Sequence, residues 1–353
     1  KETDLVFKLQ YHWTRAGDSP EVLAKAVHYL TLAGDQAILD FSLKEAAQLH
    51  GEALALAMKT SALADKRGSL QRRMARRHYL QGEAALARDQ LHLALASLGG
   101  EARPLDQLSD RQLYWKFQRQ KAKRYLRIFA KAQQIGPPPA EGPELQRNEL
   151  AMAYELLAQL SLQEHSILQA GYCALRALNI GQTLPTLTPV VARSYASLLQ
   201  ITASSGGSAR QVQFYKDKAL ETCHELGEYA LLAYTLLAVG ANNAGNARWT
   251  EAETNLSEAV KLVGQLKDKR QWEDCLSHQA HLEFYHGNFA TSRELYERAM
   301  HSAKERNDKQ IQNRCNSGIA GVLLVTNELN EAIDILKHTN SWGQYALCLL
   351  RLG

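Results

Sequence analysis

The C-terminal third of the sequence repeats itself at an interval of 40 residues, which restricts the fold more than any other feature. Three large apolar residues, Trp249, Phe289 and Leu329, stand at this interval. Residue size is also kept at three further positions of the repeat (Ala252, Ser292 and Ala332; Leu256, Tyr296 and Leu336; Ala259 and Ala299). Because residues of matching size recur, each unit from about residue 229 onward is predicted to use them for the same packing contacts.

The apolar positions inside one unit have the spacing of an α-helix. Trp249, Ala252, Leu256 and Ala259 follow one another at steps of three and four, which places them on one helix face. Gly-Asn at 245–246 and at 287–288 is typical of a turn between two helices. We therefore predict an all-α fold, a solenoid of stacked antiparallel helix pairs. The residues predicted to pack these pairs together are Trp249, Ala252, Ala259, Phe289, Ser292, Ala299, Leu329 and Ala332.

Small residues at these positions let neighbouring helices approach closely, and in this respect the pattern resembles the tetratricopeptide repeat, with somewhat longer helices. Aromatic residues at repeat spacing, including Trp249, Phe289 and Tyr285, are assigned to the core. Upstream the pattern is looser. The predicted parts are basic helical repeats with an interposed helix at 1–134, a Pro/Gly linker at 135–144, and a tetratricopeptide-like repeat array at 145–353.

The cysteines and the length of the apolar runs indicate in which cellular compartment the chain is expected. Five cysteines without a CxxC pair argue against a disulfide framework and a zinc site, and favour a reducing cytoplasm. The longest nearly uncharged apolar run, 229–240, is shorter than the roughly 20 residues that span a membrane. Since the chain starts at Lys1 and carries no leader pattern, we expect it to be cut from a longer protein.

The sequence contains no recognisable catalytic motif. Phosphate-binding loops of the GxxxxGK[ST] type, GxGxxG and GxSxG are absent, so no catalytic or cofactor-binding residue is predicted. His278 and His281 would share one helix face, as a metal site requires, but neither a cysteine nor an HExxH motif accompanies them. We expect these histidines to face solvent or the adjoining turn and predict no metal ligand.

Basic residues are concentrated in the N-terminal part, where residues 1–134 hold 22 Lys/Arg against 14 Asp/Glu, a net charge of +8. Between 111 and 131 they alternate with aromatic residues. Arg119, Lys123 and Arg127, at steps of four, are predicted to form a solvated stripe, the candidate partner-binding face. The residues predicted to pack inward are Trp115, Ile128 and Phe129. A second basic cluster consists of Arg72, Arg73, Arg76 and Arg77.

Two kinds of partner fit these basic residues. Cations interleaved with aromatic rings could hold phosphates and stack bases. A charged stripe is most often a solvated helix face, so the nucleic-acid interpretation is disfavoured. The partner favoured for such a face is an acidic protein or another domain of the same parent. We therefore expect protein partners, and nucleic acid is the disfavoured alternative.

Several segments resemble the region that follows the ATPase module in multidomain class III adenylate/guanylate cyclases. They are YHWTRAGD (11–18), KAVHYLTLAGDQA (25–37), KEAAQLHGEAL (44–54) and RQWEDCLSHQAHLEFYHGNFATSRELYERA (270–299). The resemblance implies a helical-repeat tail that restrains or regulates upstream domains. It also implies that ATP and Mg²⁺ would bind only in those upstream domains, and that the parent would convert ATP to cyclic AMP. Related tails occur in kinases and bacterial transcription regulators with the same layout.

These observations lead to three functional hypotheses. The first is the non-catalytic, regulatory repeat region of a protein similar to a soluble adenylate cyclase. The second is a pure tetratricopeptide scaffold subunit of a large assembly. The third is the repeat tail of an ATPase-containing transcription regulator.

Overall fold

The computed structural model describes residues 2–40, 42–132, 143–266, 268–337 and 348–350, and all regular structure in these ranges is helical. The chain forms two compact units. The first consists of Lys1–Leu80 with Ala84–Ile201, and the second of Gln81–Glu83 with Thr202–Gly353. The predicted all-α class is confirmed. None of the helices in these ranges combines the length and apolar character that crossing a membrane would take.

The first unit is built mainly from pairs of helices that are adjacent in sequence. Its helices are α1 (Glu2–Trp13), α2 (Pro20–Leu39), α3 (Leu43–Met58), α4 (Ala64–Leu80), α5 (Ala84–Ser97), α6 (Asp110–Ala132), α7 (Glu144–Gln163), α8 (Ile167–Gly181) and α9 (Pro189–Ser204), which ends just beyond the unit. α2 packs on α3, α4 on α5, and α7 on α8. α6 stands outside this pairing and packs on α8.

Gly34 shows how a small residue brings the helices of one pair together. It lies in α2, and a Cβ atom built on it would come within 2.4 Å of the imidazole of His50 in α3. That imidazole is completely buried. Any side chain at position 34 would therefore push α2 and α3 apart.

The second unit has regular helix bounds. Its helices are α10 (Ala209–Leu226), α11 (Tyr229–Gly245), α12 (Trp249–Leu266), α13 (Lys269–Tyr285), α14 (Phe289–Glu305), α15 (Lys309–Val325) and α16 (Leu329–Leu336). The first helices of successive pairs begin at 229, 269 and 309, and the second helices at 249, 289 and 329. The interval of 40 residues is thus the spacing of whole helix pairs. α11 packs on α12, α13 on α14, and α15 on α16.

The turn inside each pair repeats its backbone conformation as well. Ala247, Gly287 and Asn327 occupy the same repeat position and have φ values of 55°, 80° and 68°. This left-handed region is natural for glycine, tolerated by asparagine and unfavourable for alanine. The turn geometry is therefore imposed by the repeat, even where the local residue opposes it.

Aspartates begin two of the first helices in this unit. Asp268 accepts a hydrogen bond from the backbone N–H of Gln271 at 3.0 Å, and Asp308 accepts one from that of Ile311 at 3.1 Å. Each carboxylate satisfies an N–H group that has no partner within the helix. The two caps stand 40 residues apart, so the repeat also fixes where its helices start.

The predicted linker at 135–144 falls largely outside the described residues. Only its last two positions are described, and α7 already begins at Glu144. Helices on both sides of the segment belong to the first compact unit, and the division between units falls between Ile201 and Thr202. A linker at this place stays a prediction, and the compact units divide the chain elsewhere.

Candidate interaction surfaces

An aromatic cluster surrounds the C-terminal end of α13 in the second unit. Its members are Trp249, His281, Phe284, Tyr285, His286 and Phe289. The ring centroids of Trp249 and Tyr285 are 5.9 Å apart. His281 stacks on Tyr285 as well, with ring centroids 4.7 Å apart and 19° between the ring planes. Trp249 is 37% exposed and Tyr285 is 54% exposed. These rings pack against each other and still present area to solvent.

This placement corrects the assignment of Trp249 and Tyr285 to the core. Trp249 is the first residue of α12, and the rings that contact it are Tyr285 and His286 at the end of α13. These contacts cover only part of the Trp249 ring, and the rest of it stays open to solvent. The equivalent Phe289 is half-buried, and Leu329 is buried.

The small residues that were predicted to pack the helix pairs together lie where the helices meet. Ser292 donates a hydrogen bond from its hydroxyl to the backbone carbonyl of Ala280 at 2.7 Å, which joins α14 to α13. The side chains without exposed surface are Ala252, Ala259, Ser292, Ala299 and Ala332. Because none of them has room for a larger group, these positions set the distance between helices.

Burial lowers the pKa of two histidines on α13, His278 and His281. The imidazole Nδ1 of His278 lies 2.8 Å from the carbonyl oxygen of Asp274, and burial lowers the pKa of His278. Desolvation also lowers the pKa of His281, which is covered on one face by Tyr285. In the described part of the chain, no group of three or more His, Cys, Asp or Glu residues is arranged to hold a metal ion.

A buried network of four charges anchors the other end of α13. Glu273 and Asp308 have fully buried carboxylates, and Arg270 is almost fully buried. Glu273 accepts hydrogen bonds from the hydroxyl of Ser302 at 2.6 Å and from Nε of Arg306 at 3.1 Å. Burial raises the pKa of Glu273, while Arg306 opposes this rise. Arg306 also contacts Asp308 at 3.0 Å, and Arg270 pairs with the same carboxylate.

This network balances two positive against two negative charges away from water. Buried charges of this kind are stable only when each has its partner. The result is that α13, which carries three of the six members of the aromatic cluster, is held by residues at the end of α14 and at the start of α15. Sequence reasoning missed the network, because its members are ordinary charged residues without a motif.

Helix α6 in the first unit has two distinct faces. Its inner face contacts α8: Phe117 lies against Gly171, and Asn179 donates to the carbonyl oxygen of Gln120 at 3.0 Å. Its outer face bears four large exposed side chains, Tyr114, Trp115, Tyr125 and Leu126. Trp115 is 63% exposed, which corrects the prediction that it packs inward. The side chains of Ile128 and Phe129 lie outside the described residues.

The predicted basic stripe on α6 divides between these faces. Arg119 and Lys123 are exposed. Arg127 is half-buried and donates from its guanidinium to the carbonyl oxygen of Asn179 at 2.6 Å. Burial, together with the nearby charge of Arg124, lowers the pKa of Arg127. Steps of four drift around a helix of 3.6 residues per turn, so the third member of the stripe turns toward α8.

Two members of the second basic cluster, Arg72 and Arg73, are paired with carboxylates within the first unit. Arg73 donates to Asp35 at 2.9 Å and to Glu149 at 3.1 Å, and Arg72 also pairs with Glu149. The charge of Arg73 and a hydrogen bond with His50 outweigh burial and lower the pKa of Asp35. Arg72 and Arg73 therefore hold α4 to α2 and α7, which corrects the prediction that they add to a basic surface.

The cysteines have a structural role. Cys173, Cys275 and Cys315 are completely buried, and burial raises the pKa of each thiol, to about 12 for Cys315. A thiol with so high a pKa stays protonated and unreactive at neutral pH. Cys275 and Cys315 occupy one repeat position, where a small apolar side chain fits between helices.

Comparisons with known proteins show which known structures have a similar fold. No family profile matches the chain, and no curated protein sequence matches it. A Rap protein complexed with Competence and Sporulation Factor superposes with a TM-score of 0.52 at 13% identity, over 99% of this chain and 95% of that chain. The chain has a tetratricopeptide-like helical-repeat fold. At this identity the likeness extends to the fold alone.

Two further solved structures are similar at lower scores. The STAND protein with a tetratricopeptide repeat sensor from Pyrococcus horikoshii has a TM-score of 0.41 at 12% identity, over 99% of this chain and 52% of that chain. BtubC from P. vanneervenii has a TM-score of 0.43 at 16% identity, over 65% of this chain and 88% of that chain.

Proposed function

We propose that this chain is an interaction scaffold whose second unit binds a protein partner through the aromatic cluster. The observation that carries the proposal is the joint exposure of Trp249 and Tyr285, two neighbouring rings where the start of α12 meets the end of α13. Tryptophan and tyrosine are the residue types that most often dominate the energy of protein interfaces. They bury a large area with few rotatable bonds.

The rings of the cluster also pack against one another, which favours binding. His281 stacks on Tyr285, and Phe284 contacts Phe289 of the next helix with ring centroids 5.6 Å apart. The buried charge network fixes the same helix at its other end. A surface that is ordered before binding loses little conformational entropy when the partner arrives.

Substitution of the two exposed rings tests the proposal. The tagged full chain would be used to capture and identify partners from its source cells, and the strongest candidate would be purified and titrated by calorimetry. We expect W249A/Y285A to weaken that binding by at least about tenfold, since hot-spot truncations cost more than about 1 kcal/mol each. The matched control is Tyr229→Ala, because Tyr229 is 65% exposed in the same unit and outside the cluster. Equal loss in both variants, or loss in neither, would contradict the proposal.

The sequence resemblance to cyclase tails leads to a narrower proposal. In it, the scaffold regulates the ATPase and cyclase domains of a longer cytoplasmic parent, and ATP and Mg²⁺ bind in those domains. It rests on the sequence segments alone, and neither the fold nor the comparisons add to it. The parent sequence before Lys1 tests it: two cyclase domains and a nucleotide loop would support it, and a kinase domain would overturn it. A helix-turn-helix after Gly353 would favour the transcription regulator.

A further inference from the structure

We propose that the outer face of α6 binds an amphipathic helix of a partner protein whose flanks are acidic. This surface lies in the first unit, so the inference goes beyond the function proposed for the second unit. It rests on three observations on α6: exposed apolar side chains, their spacing along the helix, and the charges beside them.

The exposed apolar side chains follow the spacing of a helix-binding seam. Trp115, Ala122 and Leu126 are separated by seven and four residues, so they share one face, and Tyr125 borders them. Leu126 is 68% exposed, and Ala122 between the two large residues is exposed as well. A small residue between large ones leaves room for a side chain of a second helix, as in knobs-into-holes packing. The face is therefore shaped for a helix lying along α6.

The charges on α6 indicate which kind of partner helix would bind there. α6 carries eight Lys or Arg residues and a single acidic residue, Asp110 at its first position. Lys116, Arg124 and Arg127 are engaged on the inner side, with Glu101, Tyr195 and Asn179 respectively. Arg111, Arg119 and Lys123 are exposed to solvent beside the apolar seam. A partner helix with Glu or Asp in its flanks meets these cations, and one with Lys or Arg is repelled.

A second copy of this chain fits the surface poorly. Two α6 helices packed through the same face would bring Arg119 and Lys123 of each copy against the cations of the other. Like charges at the flanks of a helix pair are destabilising. A single-stranded nucleic acid would use the cations and the aromatic rings. It would not use Leu126 or the seven-residue spacing between Trp115 and Ala122. The observations therefore favour a protein helix as the partner.

Designed peptides provide a probe for this surface in the full chain. One fluorescent peptide of about 21 residues, three heptads, would carry Leu at positions a and d and Glu at e and g. A second would carry Lys at e and g, and the third probe would be a 5′-labelled oligouridylate of about 20 nucleotides. Fluorescence anisotropy at about 0.15 M salt would measure each dissociation constant. We expect the Glu peptide to bind at least about tenfold more tightly than the Lys peptide.

Two variants and a control link this binding to α6. We expect W115A/L126A to weaken binding of the Glu peptide by at least about tenfold, and R119E/K123E to invert the preference between the peptides. Leu145→Ala is the matched control, because Leu145 is 78% exposed in α7, and it should change nothing. Circular dichroism melting would establish that each variant is folded. Equal affinity for both peptides, or oligouridylate binding that W115A/L126A abolishes while peptide binding persists, would overturn the inference.

The readout is independent of the aromatic cluster. W249A/Y285A should leave peptide binding to α6 unchanged, so failure of this inference and failure of the proposed function give different results. Loss of peptide binding in W249A/Y285A would also count against α6 as the site.

Discussion

The carboxylate of Glu273 in α13 is fully buried and is held by the guanidinium of Arg306 at the end of α14. Removing the arginine would leave a carboxylate in the core without its main partner. We expect Arg306→Ala to lower the free energy of unfolding by about 3–5 kcal/mol, as is usual when one member of a buried ion pair is lost. Urea denaturation monitored by circular dichroism measures this.

Arg293→Ala serves as the comparison, because Arg293 makes its ion pairs with Glu297 and Glu331 at the surface. Exposed pairs contribute less than about 1 kcal/mol. If the two arginine variants lost the same stability, the buried network would not have the structural role assigned to it.

Glu101, in the connection before α6, should make stability depend on pH. Burial raises its pKa, but hydrogen bonds from Lys116 and Tyr172 and the charges of Lys116 and Arg176 outweigh this, so the pKa lies below its usual value. A lowered folded-state pKa stabilises the protein above the unfolded pKa of about 4.3, and this stabilisation is lost as pH falls through the folded pKa. Wild type should therefore exceed Glu101→Gln in unfolding free energy at pH 7 and lose that advantage toward pH 3. A difference that stayed constant with pH would exclude this role.

Ala247 adopts φ 55°, a conformation in which an alanine side chain is strained. Left-handed backbone costs an L-residue about 1–2 kcal/mol, and glycine avoids this cost. After the greater flexibility of glycine in the unfolded chain is subtracted, we expect Ala247→Gly to raise the unfolding free energy by about 0.5–1 kcal/mol. Thermal melting and urea denaturation measure the change.

The control for this variant is three residues earlier. Ala244 lies in the last turn of α11, where the backbone is helical, and Ala244→Gly should lower the unfolding free energy by about 0.5–1 kcal/mol. Changes of the same sign at both positions would show that the left-handed turn is not the cause.

Ala252 and Ala299 have no exposed surface and lie where helices meet. Tryptophan at either position should push neighbouring helices apart and lower the unfolding free energy by about 1–3 kcal/mol. Glu253→Trp places the same ring on the exposed side of α12 and should change stability by no more than about 0.5 kcal/mol. An unchanged melting temperature in Ala252→Trp would contradict the assignment of these positions to the packing interface.

The regular part of the fold was accessible from sequence because its signals are local and repeated. An apolar or small residue at steps of three and four defines a helix face, and the interval of 40 places Trp249, Phe289 and Leu329 at equivalent positions. The second helices do begin at these three residues. The inner and outer faces of α6 were not accessible in this way, since both contain aromatic residues and cations at helical spacing.

Tertiary structure alone decided which side chains remain available to a partner. Arg72 is neutralised by Glu149, a residue 77 positions away, while Trp115 and Trp249 keep much of their surface because few side chains from other helices cover them. The sequence determined the helices, their period and the small residues between them, because these depend on neighbours within a few turns. Exposure and charge pairing depend on helices far apart in the chain, and only their packing brings those groups together or leaves them open to solvent.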